Sequence, residues 1–339
     1  MKKLTLCVIF GGKTKEYEVS LNSAYEVLSH IDYEKYDVIR LGITKNGEWY
    51  IFEGENRDIL NGKWEKGELI PVTLELSNGH LIAMEKHIYA INVDVFFPVT
   101  HGEYMEDGRL QGILEIADVK YVGTPSFASH ICMDKALTKN VARQCGIPVA
   151  KDVLLDKNAQ PRVNNLSFPV FVKPCMCGSS IGVSRVDEEA ELDNALAVAL
   201  GHCDRVLIEE AIDGDEVEVA VLERGGEILV SSVGMIKHTG AFYGYVEKYK
   251  SKSSECIIPA PINEKTEKFL RECAKKLFLA LGCRSLSRFD FFVKANGKIV
   301  FNEVNTLPGF TKISMFPRLF MYDGLEYGEI IDALIKSAM

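Results

Sequence analysis

Apolar and polar positions follow two different periods along the chain. Residues 4–10 form a continuous apolar run that stops at Gly11-Gly12, the pattern of a buried strand closed by a glycine turn. Val19, Ala24, Val27, Leu28 and Ile31 fall on one helical face, which predicts a helix starting near residues 18–20. Residues 36–42 read as the next strand. Residues 46–89 hold short β-like pieces, including 48–52 and 80–84. Residues 93–98 are an apolar strand feeding the loop 101–108, and 110–117 continue as a helix. This strand–helix order predicts a parallel α/β layer.

A second unit starts near Gly123. A helix is expected over 134–144, stopped by Gly146 and Pro148. Strands are expected at 169–173, 182–186 and 205–212. A third, β-rich unit holds strands at 216–222, 228–236, 287–293 and 298–305, with helices at 264–281 and 325–338. The expected division is therefore 1–123, 124–212 and 213–339.

Composition narrows the class. A chain of 339 residues, 47% hydrophobic, can supply two or three domains with their own cores. A net charge of −9 without a Lys/Arg-rich block argues against a broad nucleic-acid surface, though not against a small anionic substrate. Met1-Lys2-Lys3 and the short apolar run after it have the outline of a secretory signal. The run leads into Gly11-Gly12 without a small-residue cleavage site, so a strand is the better reading. No apolar run approaches the ~20 residues that span a bilayer. The nine cysteines are scattered, with one close pair at Cys175 and Cys177. Neither a disulfide framework nor zinc spacing results, and buried thiols in a reducing cytoplasm are expected.

Candidate chemistry concentrates in four segments. Asn296-Gly297 predicts a two-residue hairpin turn that pairs Asp290 with Glu303 and Arg288 with Asn305. Alternation puts all four side chains on one face. Opposed carboxylates only ~5 Å apart destabilise a sheet unless something compensates. A divalent cation would do so, and an all-oxygen donor set suits Mg²⁺ better than zinc. The bland alternative is a solvated face partly neutralised by Arg288. In the second segment, Lys173 ends a buried strand before Gly178-Ser-Ser-x-Gly, a loop able to bring backbone N–H groups and a point charge to phosphate oxygens. An ordinary glycine turn would look the same, and neither a GxxxxGK[ST] nor a GxGxxG pattern occurs. The third is the loop from His101 to Gly108, placed where open α/β sheets carry ligands. Residues 242–252 mix aromatic, basic and glycine residues, which suits a lid over an anionic ligand or an ordinary surface loop.

Taken in order, these segments resemble the D-alanine–D-alanine ligase family of the ATP-grasp fold over nearly the whole chain. The landmarks are Phe10-Gly-Gly…Glu18-Val-Ser-Leu, His101-Gly-x-x-x-Glu-Asp-Gly, Met133-Asp-Lys-Ala, Lys173-Pro…Gly178-Ser-Ser-x-Gly, Tyr243…Tyr245…Lys248-Tyr249, Arg288-x-Asp-Phe-Phe and Asn302-Glu-Val-Asn-Thr-x-Pro-Gly-Phe-Thr. The resemblance implies a three-domain α/β ATP-grasp architecture: an N-terminal Rossmann-like parallel sheet and two α+β domains clasping ATP. It implies ATP and two Mg²⁺ ions (with Mn²⁺ able to substitute), D-alanine as substrate, a cytoplasmic homodimer, and no nucleic-acid or membrane partner.

Residue roles follow from the same resemblance. Lys135 and Lys173 should contact phosphates, with Ser180 and Lys248 also on the nucleotide. Glu209, Glu210 and Ile212 should line the adenine slot, and Glu216 should hold the ribose. Asp290, Glu303 and Asn305 should bind the metals. Glu18, Ser179 and Tyr249 should hold the first D-amino acid, with His101 and Glu106 near it. Arg288 and Gly309 should stabilise the oxyanion, and Ser314 and Met315 should border the second substrate.

Two departures stand out. The family usually has glycine at Met105, which would be costly if that backbone needs a positive φ. Cys175-Met176-Cys177 replaces a stretch that often carries an arginine, and its two thiols are candidates for oxidation. Residues 247–254 also resemble the D-alanine–D-serine ligases of vancomycin resistance. Those tend to carry arginine after the serine equivalent to Ser314; Met315 stands there instead and favours D-alanine. Other ATP-grasp ligases would not need the Glu18-Val-Ser-Leu and Lys248-Tyr249 landmarks. A non-catalytic nucleotide binder would not need Arg288, Asp290, Glu303 and Asn305 together.

Overall fold

The computed structural model describes residues 2–158, 163, 165–237 and 255–339. Three sheets organise the chain. The first has seven strands, β1 (Leu4–Gly11), β2 (Tyr36–Ile43), β3 (Trp49–Phe52), β4 (Leu69–Leu74), β5 (Leu81–Met84), β6 (Ile88–Ile91) and β7 (Val95–Pro98), in the order β6-β5-β4-β3-β2-β1-β7. The expected parallel layer is confined to β1, β2 and β7. From β2 outward the strands form an antiparallel meander; the connections β2–β3, β4–β5 and β5–β6 are too short for a crossover, while α2 lies in the longer connection between β3 and β4. Helix α1 (Tyr17–His30) follows β1 and buries Leu21, Ala24, Val27 and Leu28 against the sheet.

The chain continues through α2 (Asn56–Leu60) and α3 (Arg109–Ile116) to α4 (Ser126–Met133) and α5 (Lys135–Gln144). The Asp134 carboxylate caps α5 by accepting from the Ala136 and Leu137 N–H groups. The second sheet orders β10 (Ser184–Val186), β9 (Val170–Pro174), β11 (Arg205–Glu210) and β8 (Asp152–Asp156), all antiparallel, backed by α6 (Leu192–Leu200). The third orders β14 (Glu255–Ile257), β13 (Glu227–Lys237), β12 (Asp215–Arg224), β15 (Leu286–Val293) and β16 (Ile299–Asn305). Helix α7 (Glu264–Ala280) buries Leu270, Ala274, Leu277 and Phe278 in that sheet's core.

Two further helices, α8 (Met315–Tyr322) and α9 (Tyr327–Ser337), return to the beginning of the chain. Phe316, Leu319, Ile330 and Leu334 share one core with Leu6, Val8, Phe10 and Leu28. Helix α8 had no counterpart in the sequence reading.

The β15–β16 hairpin corrects one expectation while keeping its result. The loop is three residues long, not two: Lys294 and Lys298 pair across it, and Gly297 takes the left-handed φ of 76°. This shifts the register by one, so Phe291 opposes Phe301. A bulge between Asp290 and Phe291 shifts it back, and Asp290 opposes Glu303 as expected. The bulge matters because it reverses the alternation. Phe301 and Val304 both point into the core while Glu303 and Asn305 face the other way. Phe301 is fully buried, edge-on to Phe291 at 5.5 Å.

Phe301→Ala should therefore lower unfolding free energy by about 3–5 kcal/mol. Urea unfolding checks this; a loss below about 1 kcal/mol would show that the ring does not anchor the bulge.

Candidate active site

A cavity of about 600 Å³ opens where the ends of the first and third sheets face the Gly178 loop. Its floor is a cross-strand row. Glu218 on β12 is opposite Asp290 on β15, which is opposite Glu303 on β16. Next along, Ala220, Arg288 and Asn305 align in the same way. Three carboxylates would repel one another without compensation. Arg288 supplies it: Nε and Nη2 each donate to an Asp290 oxygen at 2.8 Å, and Nε lies 2.9 Å from Glu218 Oε2. The Nε–H is aimed at Asp290, so the contact at Glu218 Oε2 is ionic rather than a hydrogen bond. Burial alone would lower the Arg288 guanidinium. Asp290 and Glu218 outweigh it and hold the group well above its ordinary value. Asn305 Nδ2 donates to Asp290 at 3.1 Å, and Lys135 stands 3.4 Å from Glu303.

The phosphate side is built from lysines and strained loop backbone. Lys135, at the start of α5, donates to the Cys177 carbonyl at 2.7 Å. Ser179 and Ser180 sit consecutively at φ 51° and 56°, a conformation unusual for non-glycine residues and typical of ligand clamps. Lys173 on β9 and Lys139 on α5 both pair with Glu209 on β11. Burial pushes the Glu209 carboxyl up, but the two ammonium groups prevail and hold it at about 2. The Glu209 side chain is thus a lysine anchor. Glu210 turns outward to the Ser167 N–H and Lys151. Glu216 on β12 lies opposite Phe292, and Ile212 follows the end of β11. Burial pushes the Cys175 thiol up to about 12 and raises Cys177 too, which disfavours the thiolate at both candidates for oxidation.

The N-terminal side brings one correction. Glu18 lies on the exposed face of α1, paired with Lys45 at 2.6 Å, and does not line the cavity. The residue that lines it is Glu16, at the N-cap of α1, whose Oε1 accepts from the Ser179 hydroxyl. The reason is geometric. Ser20 takes the Gly11 N–H at 2.9 Å and donates to the Val99 carbonyl at 2.6 Å, pinning the start of α1 against β1 and β7. That turns Glu16, in the loop after β1, to the cavity and leaves Glu18 on the outer face. Gly178 packs against Glu16: a Cβ there would lie 3.1 Å from Oε2.

His101 and Glu106 clamp the loop after β16. The His101 Nδ1 donates to the Leu307 carbonyl at 2.9 Å, so its Nε2 accepts from the Ser23 hydroxyl at 2.9 Å; Ser23 Oγ in turn takes the Phe310 N–H. Glu106 accepts from the Thr306 and Leu307 N–H groups and from Gly102. Both line the cavity, as do Gly309, Ser314 and Met315. Ser314 Oγ accepts from the Thr311 N–H at 3.0 Å. Met105 is accommodated without strain. The left-handed residues of its loop are Gly102, Tyr104 and Gly108, while Met105 buries its side chain over Gly12. Tyr243, Tyr245, Lys248 and Tyr249 lie outside the described residues.

Glu16, Lys139 and Glu218 were not singled out from the sequence. Glu16 had a signal, since it sits in the strand-end loop where ligands gather in open sheets. Glu218 had none until β12 was known to pair with β15.

The clamp has a consequence for pH. Burial raises Glu106 from 4.5 to about 7, so the folded protein keeps a proton that the unfolded chain has lost, and stability falls as pH rises through that window. Burial lowers His101 from 6.5 to about 4, so the unfolded chain binds the extra proton and stability falls as pH drops through that window. The two slopes oppose each other where they overlap. Glu106→Gln should uncover the His101 slope: its unfolding free energy should climb by about 3 kcal/mol between pH 4 and pH 6.5, more steeply than the parent. Equal slopes in urea titrations of both proteins would contradict the opposed pair.

Similarity to known proteins agrees with this geometry. The sequence matches "D-ala D-ala ligase N-terminus" over residues 5–124 and "D-ala D-ala ligase C-terminus" over residues 141–336. It is 39% identical to the D-alanine–D-alanine ligase B of Clostridium tetani, covering 100% of this chain and 94% of that protein. Among solved structures it resembles the VanG D-Ala:D-Ser ligase of Enterococcus faecalis, with TM-score 0.90, 40% identity and full coverage of both chains. It also resembles the D-alanine-D-alanine ligase of Coxiella burnetii, with TM-score 0.87, 30% identity, and coverage of 100% of this chain and 94% of that one. Two family matches spanning most of the chain, and relatives at 40% identity over its whole length, lead to one statement: the chain belongs to the D-alanine–D-alanine ligase family.

Proposed function

We propose that this ligase joins two D-alanine molecules at the expense of ATP, through an acyl phosphate formed in the 600 Å³ cavity. The observation that carries this reading is the meeting of Glu16 and Ser179 with Arg288 and Glu303 around one cavity, with Asp290 buried behind Arg288. Glu16 is a carboxylate aimed at the position of an ammonium group, and Ser179 orients it. Arg288 faces the carboxyl end of such a substrate. Lys135 and Lys173 would neutralise phosphate charge, and the left-handed backbone at Ser179 and Ser180 presents N–H groups to it. Charge spread over the transferring phosphoryl group needs electrostatic compensation more than covalent help. The acyl phosphate is then attacked by the amine of the second D-alanine, with Arg288 and the Gly309 backbone beside the developing oxyanion. Ser314 and Met315 border that second substrate.

The donor set also fits Mg²⁺. Among the described residues no group of three His, Cys, Asp or Glu side chains forms a ready cage. Mg²⁺ is commonly held by one or two carboxylates plus substrate phosphates, and Asp290, Glu303 and Asn305 offer such oxygens. Bound there, Mg²⁺ would neutralise charge on the β- and γ-phosphates. The second subsite keeps one alternative open. Arg318, one turn along α8 from Ser314, also lines the cavity and offers donors that the hydroxyl of a second substrate such as D-serine would use. No helix among the described residues is long and apolar enough to cross a membrane.

Phosphate release from MgATP with D-alanine alone, with the dipeptide identified by mass, tests the reaction. Turnover only after D-serine is added would move the assignment to a mixed dipeptide; no turnover with any D-amino acid would overturn it. In the same assay Glu16→Gln should lower kcat/KM for D-alanine by about 10²-fold or more, the loss of a buried charged contact. Glu18→Gln should stay within about twofold, as a surface pair contributes little. The reverse ranking would restore Glu18 to the site.

A further inference from the structure

Arg288 carries two obligations that one position cannot meet. In the structure it occupies both oxygens of Asp290, and Asn305 adds a third contact to Oδ2. A divalent cation at Asp290, as proposed above, needs at least one of those oxygens and would repel the guanidinium. The same guanidinium is needed at the reacting carboxyl group. It therefore has to leave Asp290, and a half-buried guanidinium that leaves one carboxylate is held best by another beside it.

Glu218 meets that need. It is buried, on the strand next to β15, at the register position directly opposite Asp290. Its Oε2 is 2.9 Å from Arg288 Nε, the nitrogen that also reaches Asp290 Oδ1 at 2.8 Å. A small rotation about that nitrogen transfers the Nε–H from Asp290 to Glu218. The same rotation breaks the Nη2 contact with Asp290 Oδ2.

We propose that Glu218 is a positioning residue, the fixed partner about which Arg288 turns from Asp290 to the reacting carboxyl group when a divalent cation takes Asp290. This rests on the cation reading of Asp290 and Glu303 given above. Without Glu218, the cation competes for Asp290 against an arginine that has nowhere else to go.

The test is a double-mutant cycle on Mn²⁺ affinity, read from the free-ion electron paramagnetic resonance signal of full-length protein with ADP present. Glu218→Gln should weaken Mn²⁺ binding about tenfold in the parent but by less than about threefold in an Arg288→Met background, because the effect passes through the arginine. Equal weakening in both backgrounds would mean that Glu218 acts only as nearby negative charge, and would overturn the proposal. Glu218→Asp keeps the charge and should restore most of the affinity lost in Glu218→Gln; Glu218→Ala replaces Glu218→Gln in the cycle if that variant does not fold. A separate arm uses Asp290→Asn: unchanged Mn²⁺ affinity there would remove the cation site itself, a failure of the underlying reading and not of the exchange.

Discussion

Everything at this site follows from setting three carboxylates side by side, Glu218 and Asp290 buried and Glu303 half-buried. A sheet places opposed side chains so close that Glu218, Asp290 and Glu303 would drive their strands apart without positive charge among them. Arg288 is that charge, and its bidentate grip on Asp290 is the contact around which the floor is built. The bulge at Phe301 is subordinate to it. It lets one short strand send Phe301 and Val304 into the core and Glu303 and Asn305 into the cavity.

The second organising feature is the join between the first and third sheets. His101 and Glu106 come from a loop at the end of β7, yet their partners are the backbone of residues 306 and 307. Buried backbone groups that accept or donate to fixed side chains cannot drift without losing those bonds. The loop bearing Gly309 and Ser314 is therefore held to the N-terminal sheet, and Glu16 reaches the same cavity from that sheet.

Much of this was legible in the sequence because strands advertise their faces. Arg288, Asp290, Glu303 and Asn305 share odd–even parity within their strands, which sufficed to group them even though the turn was one residue longer than expected. Helix starts are less sharply written. Glu16 and Glu18 flank the same apolar pattern, and only the Ser20 bonds to Gly11 and Val99 decide which one faces inward. Glu218 and Lys139 were illegible for another reason: their partners lie 72 and 70 positions away, and pairings at that range leave no local trace. The antiparallel half of the first sheet was obscured because its strands are only four to six residues long.

The core shared by the first sheet and the last two helices bears on how the chain is made. Phe10, Leu21, Ala24 and Leu28 are covered in part by Phe316, Leu319, Ile330 and Leu334, some three hundred residues further on. During synthesis the early strands and α1 leave the ribosome long before their partners exist, so an apolar face stays open to water through most of translation. Contacts of such long sequence separation close late and slowly. The nascent N-terminal segment is thus the stretch most in need of shielding until the final helices arrive.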